Sequence, residues 1–380
     1  MRPSLAWSVA LTACYGAIGC SEESGSAAVT GGTGASIGGA GTGGAASSSS
    51  RGAGGQGASG GGSMSCDGTP VDAPPEEWIW VPVPGSECGN GSEAGFGINR
   101  TAKSKRLLLF LKGGGACFSA DDCQAANLDG YGQQDLMGDV STNLFSRTSD
   151  TNPFKDDSFV FVPYCTGDFH AGSRVADYGI HHMGYQNVAL YLERIVPTFC
   201  KPERVVLLGT SAGGFGVSFT YDLVHRAFGD VPVHMVDDSG PFMRPAYMGA
   251  MQAIAFPNWG ADANVPPGCP ECATAWHELY PFASTAWPTD RMSLVSSRHD
   301  PSIGSRFGID PATEFPPAID DLADQVIVPL PNMRVFYIEQ QGHVWTAAAD
   351  IDQLVVDGTS LQAFLVQQIT GDPAWANVRP

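Results

Sequence analysis

Residues 21–65 contain 16 Gly, 11 Ser and 8 Ala, and only Glu22, Glu23 and Arg51 carry charge. So little apolar surface cannot offset the entropy of ordering the backbone, and the stretch is expected to be a flexible tether. The part of the 380-residue chain able to build a core is then 66–380, long enough for one large domain. That part holds 37 of the 39 acidic and 18 of the 20 basic side chains, so the formal charge of −19 belongs to it. Such an acidic surface excludes nucleic acid as a partner, and it excludes anionic lipid bound through a basic patch. It also weighs against a polyanionic substrate.

Ahead of the tether stand Arg2, an apolar run from Leu5 to Ile18, and Gly19-Cys20. The run is too short to span a bilayer and has the order of a secretory signal. Ala17-Ile18-Gly19-Cys20 resembles a bacterial lipobox, departing from it at Ala17, where Leu is usual. The expected organisation is a signal peptide over 1–19, a tether over 20–65 lipid-anchored at Cys20, and one folded domain over 66–380. The product would be an outer-membrane or cell-surface lipoprotein, or a secreted protein if Cys20 is not acylated.

Export implies an oxidising compartment, and the cysteines agree. Setting aside Cys14 and Cys20 leaves Cys66, Cys88, Cys117, Cys123, Cys165, Cys200, Cys269 and Cys272, an even set that suits four disulfides. Their connectivity is open, although Cys117 with Cys123 and Cys269 with Cys272 are close enough to close small loops. Cys269-Pro-Glu-Cys272 lacks a second metal-spaced pair, so it reads as a structural disulfide in preference to a zinc or redox site.

Within the domain, short apolar and β-branched runs alternate with helical patterns, as in an α/β fold with a mostly parallel sheet. Strands are predicted at 78–83, 106–111, 159–162, 204–208, 231–236, 292–295 and 334–338. Val188, Leu192 and Ile195 mark one helix face. Leu361, Phe364, Leu365 and Ile369 mark another, with Thr359 and Gln362 spaced as a capping box. The Pro-, Trp- and Ala-rich 240–290 reads as an insertion over the C-terminal edge of the sheet, where open α/β sheets keep their sites, and is expected to build a small Trp-walled pocket there.

The pattern G-x-S-x-G occurs at 34–38, 57–61 and 209–213, and two of the three matches fall in the tether. Context separates Ser211. The run Val205-Val206-Leu207-Leu208 leads straight into it and a helical segment, 215–228, leads out, the strand–turn–helix of a nucleophile elbow. Gly209 and Gly213 supply the small neighbours such a turn needs. Ala212, at the helix N-terminus, would offer an oxyanion amide. A second cluster, Gly113-Gly114-Gly115, ends the strand at 106–111, where α/β-hydrolases place their other oxyanion amides. It lacks the Gly-Lys-Ser/Thr ending of a phosphate loop and the spacing of a dinucleotide fingerprint.

This fold orders its triad as Ser, acid, His. His343, behind the last predicted strand, is the expected general base. Asp300, past the strand before it, is the expected acid, and Asp238 is its rival. His299 reads as a wall residue, and His181-His182 as pocket-lining or helix-capping residues, not metal ligands.

Taken together, Gly113-Gly114-Gly115 with Cys117, Pro163-Tyr164-Cys165-Thr166-Gly167-Asp168, Ser211-Ala212-Gly213-Gly214 and Asp238-Ser239-Gly240-Pro241-Phe242 resemble the pectin acetylesterase and Notum family of serine carboxylesterases. The likeness spans most of 75–345. It implies an α/β-hydrolase fold, a Ser211–Asp300–His343 triad and an oxyanion hole from the amides of Gly114, Gly115 and Ala212. It also implies a Cys117–Cys123 disulfide beside that hole. Ala116 stands where plant members carry Trp, and Lys112 where they carry Glu, so the acyl pocket is not theirs. The expected activity is hydrolysis of a carboxylic ester, chiefly deacetylation of an acetylated glycan or small ester, without metal or organic cofactor, by a monomer. Deacylation of longer acyl esters and a non-catalytic binding module on a hydrolase scaffold are the alternatives.

Overall fold

The computed structural model describes residues 66–124 and 126–380. The expectations for the signal peptide, for Cys20 and for the tether lie outside the described residues.

Eight strands form one sheet: β1 (Ile79–Glu87), β2 (Glu93–Asn99), β3 (Arg106–Leu111), β4 (Ser158–Val162), β5 (Arg204–Thr210), β6 (Val233–Asp238), β7 (Met292–Ser297) and β8 (Met333–Ile338). Their order across the sheet is β1-β2-β4-β3-β5-β6-β7-β8. The β1–β2 and β2–β4 pairs are antiparallel and every later pair is parallel. This is the α/β-hydrolase fold. The central strands carry near-continuous apolar runs, Leu107 to Leu111 and Val205 to Leu208, because helices bury both of their faces.

All seven predicted strands are present, and β2 is the eighth. Its sequence, Glu-Ala-Gly-Phe-Gly-Ile-Asn, hides it, since glycines break the β-branched signal. The predicted helix faces are buried in Gly184–Thr198 and Leu361–Thr370. The second helix is capped one residue later than expected: Ser360, not Thr359, accepts the Ala363 amide. The elbow helix, Ala212–Phe228, begins directly after Ser211.

Four disulfides form: Cys66–Cys200, Cys88–Cys165, Cys117–Cys123 and Cys269–Cys272. Every cysteine among the described residues is therefore paired, as suits an oxidising compartment. No helix among the described residues is long and apolar enough to cross a membrane.

The 240–290 region departs from expectation in Trp259 and Trp276, which are core residues and not a pocket wall. It folds into the helices Pro245–Trp259 and Leu279–Ala286 joined by short 3-10 turns, and its large side chains Trp259, Trp276 and Tyr280 are buried in the core. It packs behind the elbow helix, where Tyr280 donates to Asp237 Oδ2 at 3.0 Å and receives the Phe242 amide at 3.1 Å.

Candidate active site

Strand β5 delivers Ser211 to the C-terminal edge of the sheet with φ +57 and ψ −121, a strained turn for a non-glycine residue. Its two flanking glycines are required by space. A Cβ on Gly209 would lie 2.1 Å from the Gly213 carbonyl oxygen, and one on Gly213 would lie 2.0 Å from that of Leu111. Both obstacles are backbone, which cannot step aside. Gly213→Ala is accordingly expected to cost ~3 kcal/mol or more, visible as a drop of several degrees in the thermal unfolding midpoint.

Asp300 and His343 are brought into contact. Asp300 follows β7 and caps the helix Pro301–Phe307: its Oδ1 accepts the amides of Ser302 at 2.9 Å and Ile303 at 3.0 Å. Its Oδ2 lies 2.7 Å from His343 Nδ1. The carboxylate is fully buried, whereas the imidazole is about one-fifth exposed (21%). With Nδ1–H donating to Asp300, the neutral ring keeps its lone pair on Nε2.

Ser211 and His343 line one cavity of about 530 Å³, together with Gly113, Gly114, Gly115 and Ala212. The glycine loop is shaped as much by its own backbone as by crowding. Gly115 has φ +80 with open space around its missing Cβ, while a Cβ on Gly113 would strike the Thr210 carbonyl oxygen at 2.3 Å.

Several side chains that carried no sequence signal hold the carbonyls of this loop. His170 Nε2 meets the Lys112 carbonyl at 2.9 Å, Trp259 Nε1 donates to that of Cys117 at 2.8 Å, and Asn258 Nδ2 to that of Phe118 at 2.7 Å. Arg306 donates to the Ala116 carbonyl and forms a two-pronged pair with Asp122. Since Lys112 offers a carbonyl, His170 must present Nε2–H, and burial pushes its pKa down, which favours that neutral form. These partners lie 58 to 190 residues from the loop, beyond the reach of any local pattern.

The cavity wall is largely apolar, with Phe110, Leu144, Phe145, Phe161 and Ala347. Among the described residues no member of 240–290 lines it, so the small Trp-walled pocket expected from that region is not there. Two cations reach the wall, and both are paired. Lys112 Nζ is 2.5 Å from Asp139 Oδ2, and the Arg306 guanidinium holds the Asp122 carboxyl below its usual range.

The other histidines sit elsewhere. His182 bonds the Thr166 carbonyl through Nδ1 and the Tyr178 hydroxyl through Nε2, His181 pairs with Glu87, and the following helix is capped by Asp168, which receives the Gly184 amide. His299 contacts Glu339 and the Pro311 carbonyl, outside the cavity lining. Cys117, Cys123 and His182 gather closely enough for a metal, but the two sulfurs are joined to each other and have no thiolate to offer.

Asp238, the rival acid, is engaged in another way. Its Oδ2 accepts the amides of Trp345 and Thr346 and the Thr346 hydroxyl. Burial pushes its carboxyl up, and these donors pull it back down.

A sequence profile described as Pectinacetylesterase matches residues 81–259. Residues 81–259 are a pectinacetylesterase-family domain. Relatives similar to part of this chain include palmitoleoyl-protein carboxylesterase notum2 of Xenopus laevis, 33% identical over 172 residues, which cover 41% of this chain and 35% of the relative. Palmitoleoyl-protein carboxylesterase NOTUM of Homo sapiens is 29% identical, with 41% and 34% covered. The match thus spans about a third of the length of these curated relatives. The crystal structure of the Wnt deacylase Notum from Drosophila superposes with a TM-score of 0.63 at 19% identity, over 79% of this chain and 95% of that one.

Proposed function

We propose that this chain, with its pectinacetylesterase-family domain, is an exported serine carboxylesterase that cleaves an uncharged ester whose acyl group is larger than acetyl. The observation that carries the reading is the 2.7 Å His343–Asp300 pair opening, beside Ser211, onto one apolar cavity.

In this mechanism His343 Nε2 takes the proton of Ser211 as Oγ attacks the ester carbon. The carbonyl oxygen gathers negative charge against the amides of Gly114, Gly115 and Ala212. The tetrahedral centre collapses, the alcohol leaves with the proton from His343, and an acyl-serine remains. Water, deprotonated by His343, then releases the acid. Asp300 keeps Nδ1 protonated and supports the imidazolium.

The substrate class rests on the walls. A cavity of about 530 Å³ lies within the range of ~300–1,000 Å³ typical of small-molecule sites. A two-carbon acyl group would leave most of it to water. Because Lys112 and Arg306 are both already paired, they favour no polyanion. Acetyl esters remain the second reading, favoured by the Pectinacetylesterase profile itself.

A p-nitrophenyl ester series decides between them. Each buried methylene is worth ~0.8 kcal/mol, so kcat/KM is expected to rise at least ~10-fold from acetate to octanoate. A maximum at acetate would establish the acetylesterase reading instead. In both cases a fluorophosphonate probe should label Ser211, and the absence of labelling in a folded, intact protein would refute the serine mechanism. As to location, Cys20 is the proposed lipid anchor, so Cys20→Ala should move the protein from the membrane fraction to the soluble one.

A further inference from the structure

Asp238 and Ser239, at the end of β6, take no part in the chemistry above, yet they touch both sides of it. The main-chain carbonyl of Asp238 accepts the amide of Ser211 at 2.8 Å. The side chain of Asp238 faces the other way, into the loop that follows His343. There its Oδ2 accepts the Trp345 amide at 2.9 Å, the Thr346 amide at 2.7 Å and the Thr346 hydroxyl at 2.7 Å. Ser239 Oγ donates to Asp238 Oδ1 at 2.9 Å and accepts the Val344 amide at 3.1 Å. Three successive amides after His343 are thus received by two adjacent side chains.

The backbone at this junction is held away from its relaxed state. Ser211, Ser239 and Val344 have φ of +57, +62 and +67, and none of them is glycine. Such conformations persist when the surroundings over-determine them, and they gather at functional sites. Asp238 and Ser239 are both fully buried, so water does not compete for their bonds.

We propose that Asp238 and Ser239 are positioning residues that set the register between the nucleophile and the general base. The backbone of Asp238 fixes the Ser211 turn, and the paired side chains fix the loop carrying His343. Asp300 aligns the imidazole ring; Asp238 and Ser239 align the backbone from which that ring projects. The role rests on Ser211 and His343 acting as proposed above.

The test must separate positioning from packing, and Thr346 allows it. Valine preserves the shape of Thr346 but removes the hydroxyl that Asp238 accepts; serine keeps the hydroxyl and loses the methyl. Positioning predicts that Thr346→Val lowers kcat ~10-fold while Thr346→Ser stays near wild type; a packing role predicts the reverse order. Asp238→Asn is expected to lower kcat ~10²-fold, since a displacement near 1 Å costs about that much. In all three variants KM should stay within about twofold, and the rate of fluorophosphonate labelling of Ser211 should fall in parallel with kcat.

Wild-type kcat in Thr346→Val, or a loss confined to KM, would overturn the positioning role. Ser211→Ala provides the independent control. If it is inactive while Thr346→Val and Asp238→Asn turn over normally, only the positioning role fails. If it is itself active, the serine mechanism fails and the positioning role with it.

Discussion

Replacing Ser211 with alanine is expected to reduce kcat for p-nitrophenyl esters by about 10⁶-fold, the loss seen when a serine hydrolase loses its nucleophile. Folding should survive. Ser211 is only partly buried, and its side chain makes no capping bond to the elbow helix. Alanine also presents the same Cβ to the φ +57 turn, so the strain is unchanged. Some rate above that of water should remain, because the amides of Gly114, Gly115 and Ala212 can still bind charge on an attacked carbonyl. The measurement is an initial-rate comparison on proteins with matching thermal unfolding curves. Equal rates would refute covalent catalysis at this serine.

Asp300→Asn should have the next largest effect, about 10⁴-fold in kcat, and it isolates one function of a residue that has two. Asp300 both caps the helix Pro301–Phe307 through Oδ1 and pairs with His343 through Oδ2. Asparagine caps helices about as well as aspartate, so its oxygen can keep the Ser302 and Ile303 amides. Its NH₂ then faces His343 Nδ1, which can only accept. The proton is forced onto Nε2, where the base needs a lone pair. The unfolding midpoint should therefore barely move while turnover collapses. Asp300→Ala would blur the two roles, since losing the cap alone costs ~1 kcal/mol. Wild-type turnover in the asparagine variant would show that the acid lies elsewhere.

The sequence was most legible where local chemistry and position along the chain coincide. Val205 to Ser211 reads as an elbow because a β-branched run, two small residues and a helix start within a few positions. Asp300 and His343 are singled out by chain order, each just behind a parallel strand, and their side chains meet at 2.7 Å. Strand β2 was missed because the glycines that hide it are needed for contact: a Cβ on Gly95 would lie 2.2 Å from the Val81 carbonyl oxygen on the neighbouring strand. The 240–290 region misled for another reason. Aromatic richness signals burial, but it does not say whether the buried face is a pocket wall or a core. Trp259 and Trp276 lie in the core, and Trp259 donates to the Cys117 carbonyl just past the glycine loop. Asp238 shows the limit of positional reasoning. It stands where a triad acid could stand, and only three-dimensional contacts reveal that its carboxylate is already occupied by the Thr346 loop.

The Cys66–Cys200 bond, finally, has a mechanical meaning. Beyond it, Thr69 receives Arg194 Nε, and the Val71 amide is held by the Thr198 hydroxyl, so 66–71 is latched along the helix Gly184–Thr198. Strand β1 lies at the rim of the sheet and would otherwise be the first element to peel when the chain is pulled from its amino end. With the staple in place, a force applied ahead of residue 66 passes through a covalent link into a helix packed on the core. Peeling that starts at the amino end would then reach the sheet only after that link had given way.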